Sequence, residues 1–336
     1  MPQETIRLPD TSKLVVSSSP HVHQNQDARR VMLTVLLALA PACLVGVYYF
    51  GLRALWVLGV CTVSALLFEA LFCRLFNRPV VLGDMSALLT GVLLGMNLSA
   101  YTPWWVCVIG SLLAIGLGKQ LYGGLGYNPF NPALVGRVGL VIAFPKLMTT
   151  WIEPKAGQFI TDATTTATPL GQLQTDGIQA VASVRYLDLF IGNMPGCIGE
   201  TSAAALILGG LLLVFFRLIR WQIPVIYIGT VAVVTGAVHA FAPELSPEPL
   251  FHLLTGGLML GAIFMATDMV TSPMTKSGAI IFALGCGLMT AVIRIWGSYP
   301  EGVSFSILFM NALVPLIDRY TASQPFGYRK RAPAAA

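Results

Sequence analysis

The chain has 336 residues, 55% of them apolar and only 10% charged, with a net charge of +5. A soluble domain carries about 25% charged residues, so the composition excludes a disordered chain, a secreted disulfide scaffold and an ordinary cytosolic enzyme. A mean hydropathy of +0.74 leaves a polytopic membrane protein.

Residues 1–28 are polar, with neither an apolar core nor a cleavage-type end. They read as a cytoplasmic tail rather than a secretory signal. Apolar stretches follow at 31–50, 54–73, 82–98, 104–121 and 132–148. A polar segment, 149–200, separates them from five more at 201–216, 221–242, 250–267, 278–295 and 303–316. A bilayer core takes about 20 apolar residues per helix. The expected fold is therefore all-α, with about ten transmembrane helices. The units are 29–148 and 201–318, and 319–336 is a second cytoplasmic tail. Stretches 82–98 and 303–316 are short enough to be tilted or broken.

Charge supports that topology. With the N-terminus inside, the inner connections hold Arg29, Arg30, Arg74, Arg78, Lys119, Arg217, Arg220 and Lys276. The C-terminal tail adds Arg319, Arg329, Lys330 and Arg331. The outer loops hold Arg53 and Arg294, and otherwise the acids Glu244, Glu248 and Glu301. This is a positive-inside bias, which puts segment 149–200 outside. The positive charge is topology, and no nucleic-acid partner is expected.

Two echoes suggest an internal repeat. Leu88-Leu89-Thr90-Gly91 matches Leu253-Leu254-Thr255-Gly256, each in the third span of its set. Asn131-Pro132-Ala133-Leu134-Val135 matches Asn311-Ala312-Leu313-Val314-Pro315, each in the fifth. A five-span unit repeated in tandem enters the membrane upside down the second time, giving two inverted five-helix repeats. The 33 glycines fit close helix packing. No dinucleotide-binding glycine motif is present.

Carboxylates at membrane depth cost a few kcal/mol and need a reason. Glu69 and Asp84 lie near the inner ends of their spans and are either interfacial or on an ion path. Asp268 sits in the polar run Ala266–Pro273, between apolar stretches. That run is either a turn at the inner surface or an interrupted helix whose freed carbonyls coordinate a cation. In Tyr127-Asn128-Pro129-Phe130-Asn131-Pro132-Ala133, two prolines hold Asn128 and Asn131 out of helical geometry. The turn is either a rigid connection or a place where two free amides meet a planar polar heterocycle, with Phe130 or Tyr127 beside its ring. Cys43, Cys61, Cys73, Cys107, Cys197 and Cys286 show no metal-binding spacing and read as small buried hydrophobes. His21 and His23 lie in the polar tail and read as solvated, and His239 and His252 flank an outer loop. No metal site is expected.

The segment Asp162-Ala163-Thr164-Thr165-Thr166-Ala167-Thr168-Pro169 is rich in β-branched residues, which favour extended backbone. Pro169 also keeps Thr168 extended, with its hydroxyl expected to be open to a modifying enzyme. By composition alone this is a polar threonine loop. The segment resembles the flavinylation motif Asp-x-x-(Ser/Thr)-Gly-Ala-Thr, in which a flavin transferase moves FMN from FAD onto the last threonine. Asp162, Thr165, Ala167 and Thr168 match it, and Thr166 stands where glycine is usual.

With Ser19-Pro20-His21 and the Asn128–Ala133 turn, the motif makes residues 20–330 resemble the RnfD family, the membrane D subunit of the Rnf complex. The resemblance extends more distantly to the B subunit of the sodium-pumping NADH:quinone reductase. It implies an electron-carrying subunit of an inner-membrane translocase that couples electron flow between NADH and ferredoxin, or a related acceptor, to Na⁺ or H⁺ movement. It implies FMN covalently held on Thr168 in a periplasmic loop. It also implies riboflavin in the membrane domain, with Asn128 and Asn131 as its expected contacts. The implied partners are the integral A and E subunits, the flavin-bearing G subunit, the peripheral B and C subunits, and the transferase. The fold resembles urea transporters. Asp268, Glu69 and Asp84 are the ion-path candidates. The competing readings are a secondary transporter of a small solute without redox chemistry, and a scaffold with an inert threonine loop. Fold alone does not separate them.

Overall fold

The computed structural model describes residues 27–154, 165–181, 184–297, 299 and 301–322. Both tails lie almost wholly outside the described residues, with Ser19-Pro20-His21 and His23, and so does Asp162.

Among the described residues, six helical segments are long and apolar enough to cross a membrane. They are α1 (Ala28–Phe50), α2 (Leu52–Leu75), Trp104–Tyr122, which begins with α4 (Trp104–Leu112), α11 (Gln222–Phe241), α14 (Lys276–Trp296) and α15 (Val303–Thr321). Helix α4 continues through a π turn at Leu113–Leu117 and a 3₁₀ turn at Gln120–Tyr122. Three shorter apolar helices join them: α3 (Ser86–Met96), α5 (Pro132–Ala143) and α10 (Ala203–Phe215). Between α5 and α10 run the short helices α6 (Pro145–Met148), α7 (Pro169–Asp176), α8 (Ile178–Val181) and α9 (Tyr186–Ile191). A two-stranded antiparallel ladder, β1 (Trp151–Ile152) with β2 (Thr165–Thr166), pairs Trp151 with Thr166.

Two expectations about span continuity are corrected. Stretch 303–316 is neither broken nor short, because α15 runs unbroken to Thr321. Stretch 82–98 is broken, with a 3₁₀ turn at Leu82–Asp84 and left-handed Met85 before α3; stretch 250–267 is interrupted as well. It divides into α12 (Pro249–Leu254), α13 (Leu258–Leu260) and a π turn at Gly261–Met265. The break is held from outside: Arg294 of α14 donates to His252 O at 2.5 Å and Thr255 O at 3.0 Å. Those carbonyls end α12 and have no intrahelical partner, so a cation there satisfies them and the helix dipole together. Arg294, expected in an outer loop, is buried in the last turn of α14.

Helix starts follow local chemistry. Asn131, Thr168, Ser202 and Thr275 each accept a backbone N–H at the start of α5, α7, α10 and α14. Pro132 and Pro169 occupy the first positions, where no N–H is missed. Small residues set the interhelical spacing: a methyl on Gly91 would sit 2.6 Å from Thr62 Cα of α2. Helix α1 packs on α10, α11 on α14 and α5 on α15. Tyr227, Thr290 and Ser306 join α11, α14 and α15 through buried hydroxyl contacts of 2.7 and 2.6 Å.

Candidate functional sites at the two faces

The face at which α1 begins, the near face, opens into a cavity between α1, α3, α10 and the π turn after α13. Its atom-free space is about 830 Å³, part of it continuous with the outside, and Leu89, Leu93, Leu213 and Phe264 are among its apolar walls. Polar groups converge on it from Lys119, Asn128, Asn131 and Asp268. This lining, apolar walls with a few convergent polar groups, is that of a small-molecule site.

The expected residues arrive there with different freedom. Asn131 is fully used, contrary to the expectation of a free amide. Its Oδ1 accepts from Ala133 N at 3.1 Å and its Nδ2 donates to Met265 O at 3.2 Å. With the Asn311 amide turned to satisfy both of its ends, its oxygen accepts the Asn131 N–H at 3.2 Å and its nitrogen donates to Thr271 O at 3.2 Å. The two asparagines paired by the sequence echo thus meet, and each closes a carbonyl around the broken span. Asn128 donates to Phe130 O at 3.1 Å, while its Oδ1 is buried without a partner. A buried acceptor of this kind costs about 1–3 kcal/mol unless something donates to it. Neither Tyr127 nor Phe130 lines the cavity, and Tyr127 is 75% exposed. Asp268 closes its own turn, accepting from Thr271 Oγ1 at 3.1 Å.

Glu69 is buried in the protein: it is 4% exposed and pairs with Lys119 at 2.7 Å. Lys119 Nζ also donates to Ser86 Oγ at 2.7 Å, and Ser86 Oγ donates to Asp84 Oδ2 at 2.9 Å. Lys119 is 1% exposed and more than a topological charge. Its place inside the apolar stretch 104–121 is the sequence signal for burial.

At the opposite, far face, Thr168 is extended (φ −63°, ψ 157°), as Pro169 requires. Its hydroxyl is not open, however. It accepts Gly171 N–H at 3.0 Å and the residue is 3% exposed. Helix α7 is seated by Leu170 against Gly256 and Arg294, and by Gln174 Nε2 donating to Gly297 O at 2.6 Å. Thr165 and Ala167 are exposed beside it.

A second charged cluster lies at this face, and sequence reasoning missed it. Arg137 in α5 pairs with Glu301 at 2.5 Å, and its guanidinium lies 5.7 Å from the Trp151 ring. An arginine inside an apolar stretch is the signal. Glu200, 4% exposed, accepts from Cys197 N at 3.3 Å and Cys197 Sγ at 3.4 Å. Burial, then the neighbouring Glu301 carboxylate, push its carboxyl up to about 7. A carboxyl whose folded value exceeds its unfolded one favours folding below the unfolded value, and that contribution is lost as pH rises through the folded value. Stability is therefore expected to fall from about pH 4.5 to about pH 7, by on the order of 3 kcal/mol. Glu200→Gln should flatten this slope in thermal melts of the detergent-solubilised protein. An unchanged slope in the variant would reassign the effect to another group. Among the described residues, no group of three His, Cys, Asp or Glu is placed to hold a metal ion, and all six cysteines are free thiols.

The model of the NQR2, RnfD, RnfE family matches residues 15–327. The chain belongs to this family. It is 46% identical over 321 residues to the D subunit of the proton-translocating ferredoxin:NAD(+) oxidoreductase complex of Clostridium ljungdahlii, covering 94% of this chain and 96% of that one. It is 45% identical over 319 residues to the Na(+)-translocating counterpart of Acetobacterium woodii, with the same coverage. It is 44% identical over 328 residues to the D subunit of the ion-translocating oxidoreductase complex of Stutzerimonas stutzeri, covering 90% and 93%.

Proposed function

We propose that the chain is the electron-carrying membrane D subunit of an ion-translocating ferredoxin:NAD⁺ oxidoreductase complex. The observation that carries this reading is the near-full-length similarity to two such subunits at 45–46% identity, and to the D subunit of an ion-translocating oxidoreductase complex at 44%. Two of them, almost equally similar, are named for different ions, so overall similarity does not select Na⁺ or H⁺. In this reading the spans form two inverted five-helix repeats, as in urea transporters, with α1–α5 in one and α10–α15 in the other. The meeting of Asn131 with Asn311 supports that symmetry. The termini and the near face are cytoplasmic, and the Thr168 face is periplasmic. The A, E, G, B and C subunits complete the assembly.

FMN is carried on Thr168, attached by a flavin transferase that uses the motif begun by Asp162 and continued by Thr165 and Ala167. Riboflavin occupies the near-face cavity, where the residues fit a flavin. Asn128 Oδ1 is a buried acceptor without a donor, Lys119 supplies positive charge, and the walls are apolar. When bound, the flavins supply the redox chemistry; the protein supplies position and electrostatics. Thr168 is 3% exposed, so the start of α7 must open for the transferase to reach its hydroxyl. Asp268, Glu69 and Asp84 line the ion path at the near face.

The test is in-gel flavin fluorescence of the denatured chain, made beside the transferase, as wild type and Thr168→Ala. Fluorescence in wild type and its complete loss in the variant are expected. A non-fluorescent wild type, with the transferase active on another substrate, would move the solute-transporter reading ahead.

A further inference from the structure

The Glu69–Lys119 pair stands between two cavities. Lys119 and Ser86 line the near-face cavity, and Glu69 does not. Glu69, Cys73, Arg78, Asp84 and Gln120 line a separate vestibule, and Lys119 does not. Two buried oxygens of vestibule residues, Glu69 Oε2 and Gln120 Oε1, have no donor. Arg78, the cation of the vestibule, is committed to the backbone, donating to Gln120 O at 3.0 Å. The partition is thus one ammonium on a flexible stem, with acceptors waiting behind it on the vestibule side.

We propose that Lys119 is a counter-ion shared between the two cavities: held by Glu69 while the near-face cavity is neutral, and drawn toward that cavity when it gains an electron, so that Glu69 takes one monovalent cation from the vestibule. This rests on the reading that a flavin occupies the near-face cavity. The charges balance. One electron, supplied by the redox reaction of the complex, adds one negative charge to the cavity. The Lys119 ammonium moves to neutralise it. Glu69 is left with one unpaired negative charge, and one Na⁺ or H⁺ restores neutrality. When the electron leaves, the ammonium returns and displaces the cation. Only the ion pair breaks and re-forms. A buried ion pair suits this role, because opening it without replacement leaves an uncompensated buried charge, which ties cation entry to lysine movement. The other charged or titratable groups facing the two cavities are Cys73, Arg78, Asp84 and Asp268.

The experiment is a redox titration of the non-covalent flavin in the purified whole complex, at several Na⁺ concentrations and pH values, for wild type and Lys119→Met. One cation per electron shifts the midpoint by about 59 mV per tenfold change in that cation. Wild type is expected to show that slope for Na⁺ or for H⁺. Lys119→Met is expected to flatten it in the flavin that remains bound, because Glu69 then holds its cation in both redox states. Lys119→Arg, which keeps the charge, should restore it. A purely structural role for Lys119 would lower flavin content or assembly without flattening the slope. A wild-type slope in Lys119→Met overturns the proposal alone; absence of non-covalent flavin from the wild-type complex overturns the cavity reading with it. Where Lys119→Met fails to assemble, Ser86→Ala decides. It removes one of two acceptors restraining the ammonium, and should raise the midpoint at fixed cation with the slope retained. An unchanged midpoint in Ser86→Ala overturns the proposal.

Discussion

Gly192→Ala is expected to abolish stable folding, at a cost on the order of 4 kcal/mol or more. Gly192 ends α9 in the left-handed region at φ 106°, ψ 18°. A methyl there would fall within the van der Waals envelope of Thr201 O. Neither partner can give way. Thr201 is 1% exposed and donates through Oγ1 to Ile198 O at 2.9 Å, and Ser202 beside it caps α10. Ile198 in turn fills the space left by Gly46 of α1, where a Cβ would meet it at 2.8 Å. Its N–H donates to Leu98 O at 3.0 Å, which ties this turn to the end of α3. Moving Thr201 therefore moves the joint between α1, α3 and α10. In detergent melts the apparent midpoint should fall by on the order of 10 °C or more, where folded protein is recovered at all. Gly192→Asn separates the two causes. Asparagine tolerates left-handed backbone but still carries the offending Cβ. It should fail as badly as alanine, and a stable asparagine variant would show that the torsion, not the collision, is the constraint.

Much of the helical framework is legible in the sequence because its cause is local. Apolar runs of spanning length mark α1, α2, α11 and α14, and the Asn131-Pro132 turn marks the start of α5. What escapes the sequence depends on partners far along the chain. Stretch 250–267 is apolar throughout, and its interruption is stabilised by Arg294, some forty residues later in α14. Glu69 reads as either an interfacial acid or an ion-path residue, and its ion pair is not foreseen, because its partner, Lys119, lies fifty residues away. The hydroxyl of Thr168 reads as open from its own backbone alone, whereas its burial comes from the cap to Gly171 and the seating of α7. Asn131 reads as a free amide, yet its nitrogen meets Met265 O at the end of a π turn more than a hundred residues away. The echo between Asn131 and Asn311 is a long-range feature of the sequence, and its two asparagines lie together once the Asn311 amide is turned to accept the Asn131 N–H.

Arg137→Met is expected to cost about 3 kcal/mol, the lower end for breaking a buried ion pair, because Glu301 keeps 18% of its side chain exposed. The loss has two parts. Glu301 is left at the far face without its direct cation, beside the buried carboxyl of Glu200. The Trp151 ring also loses the guanidinium 5.7 Å away, and Trp151 is the ladder partner of Thr166, two residues before Thr168. Destabilisation should therefore reach the segment proposed to carry FMN, and limited proteolysis of the variant should cut faster between α6 and α7. Arg137 Nη1 has no partner in the folded protein, so part of its desolvation cost is already uncompensated, and methionine removes that cost too. The double variant Arg137→Met with Glu301→Gln removes both charges and should recover more than half of the lost stability, since a neutral replacement of a buried pair is often tolerated. A double-mutant cycle on thermal melts measures the coupling directly. A single variant losing less than about 1 kcal/mol, or a double variant no better than the single, would mean that the pair is a surface contact and that the ladder at Trp151 is held by other means.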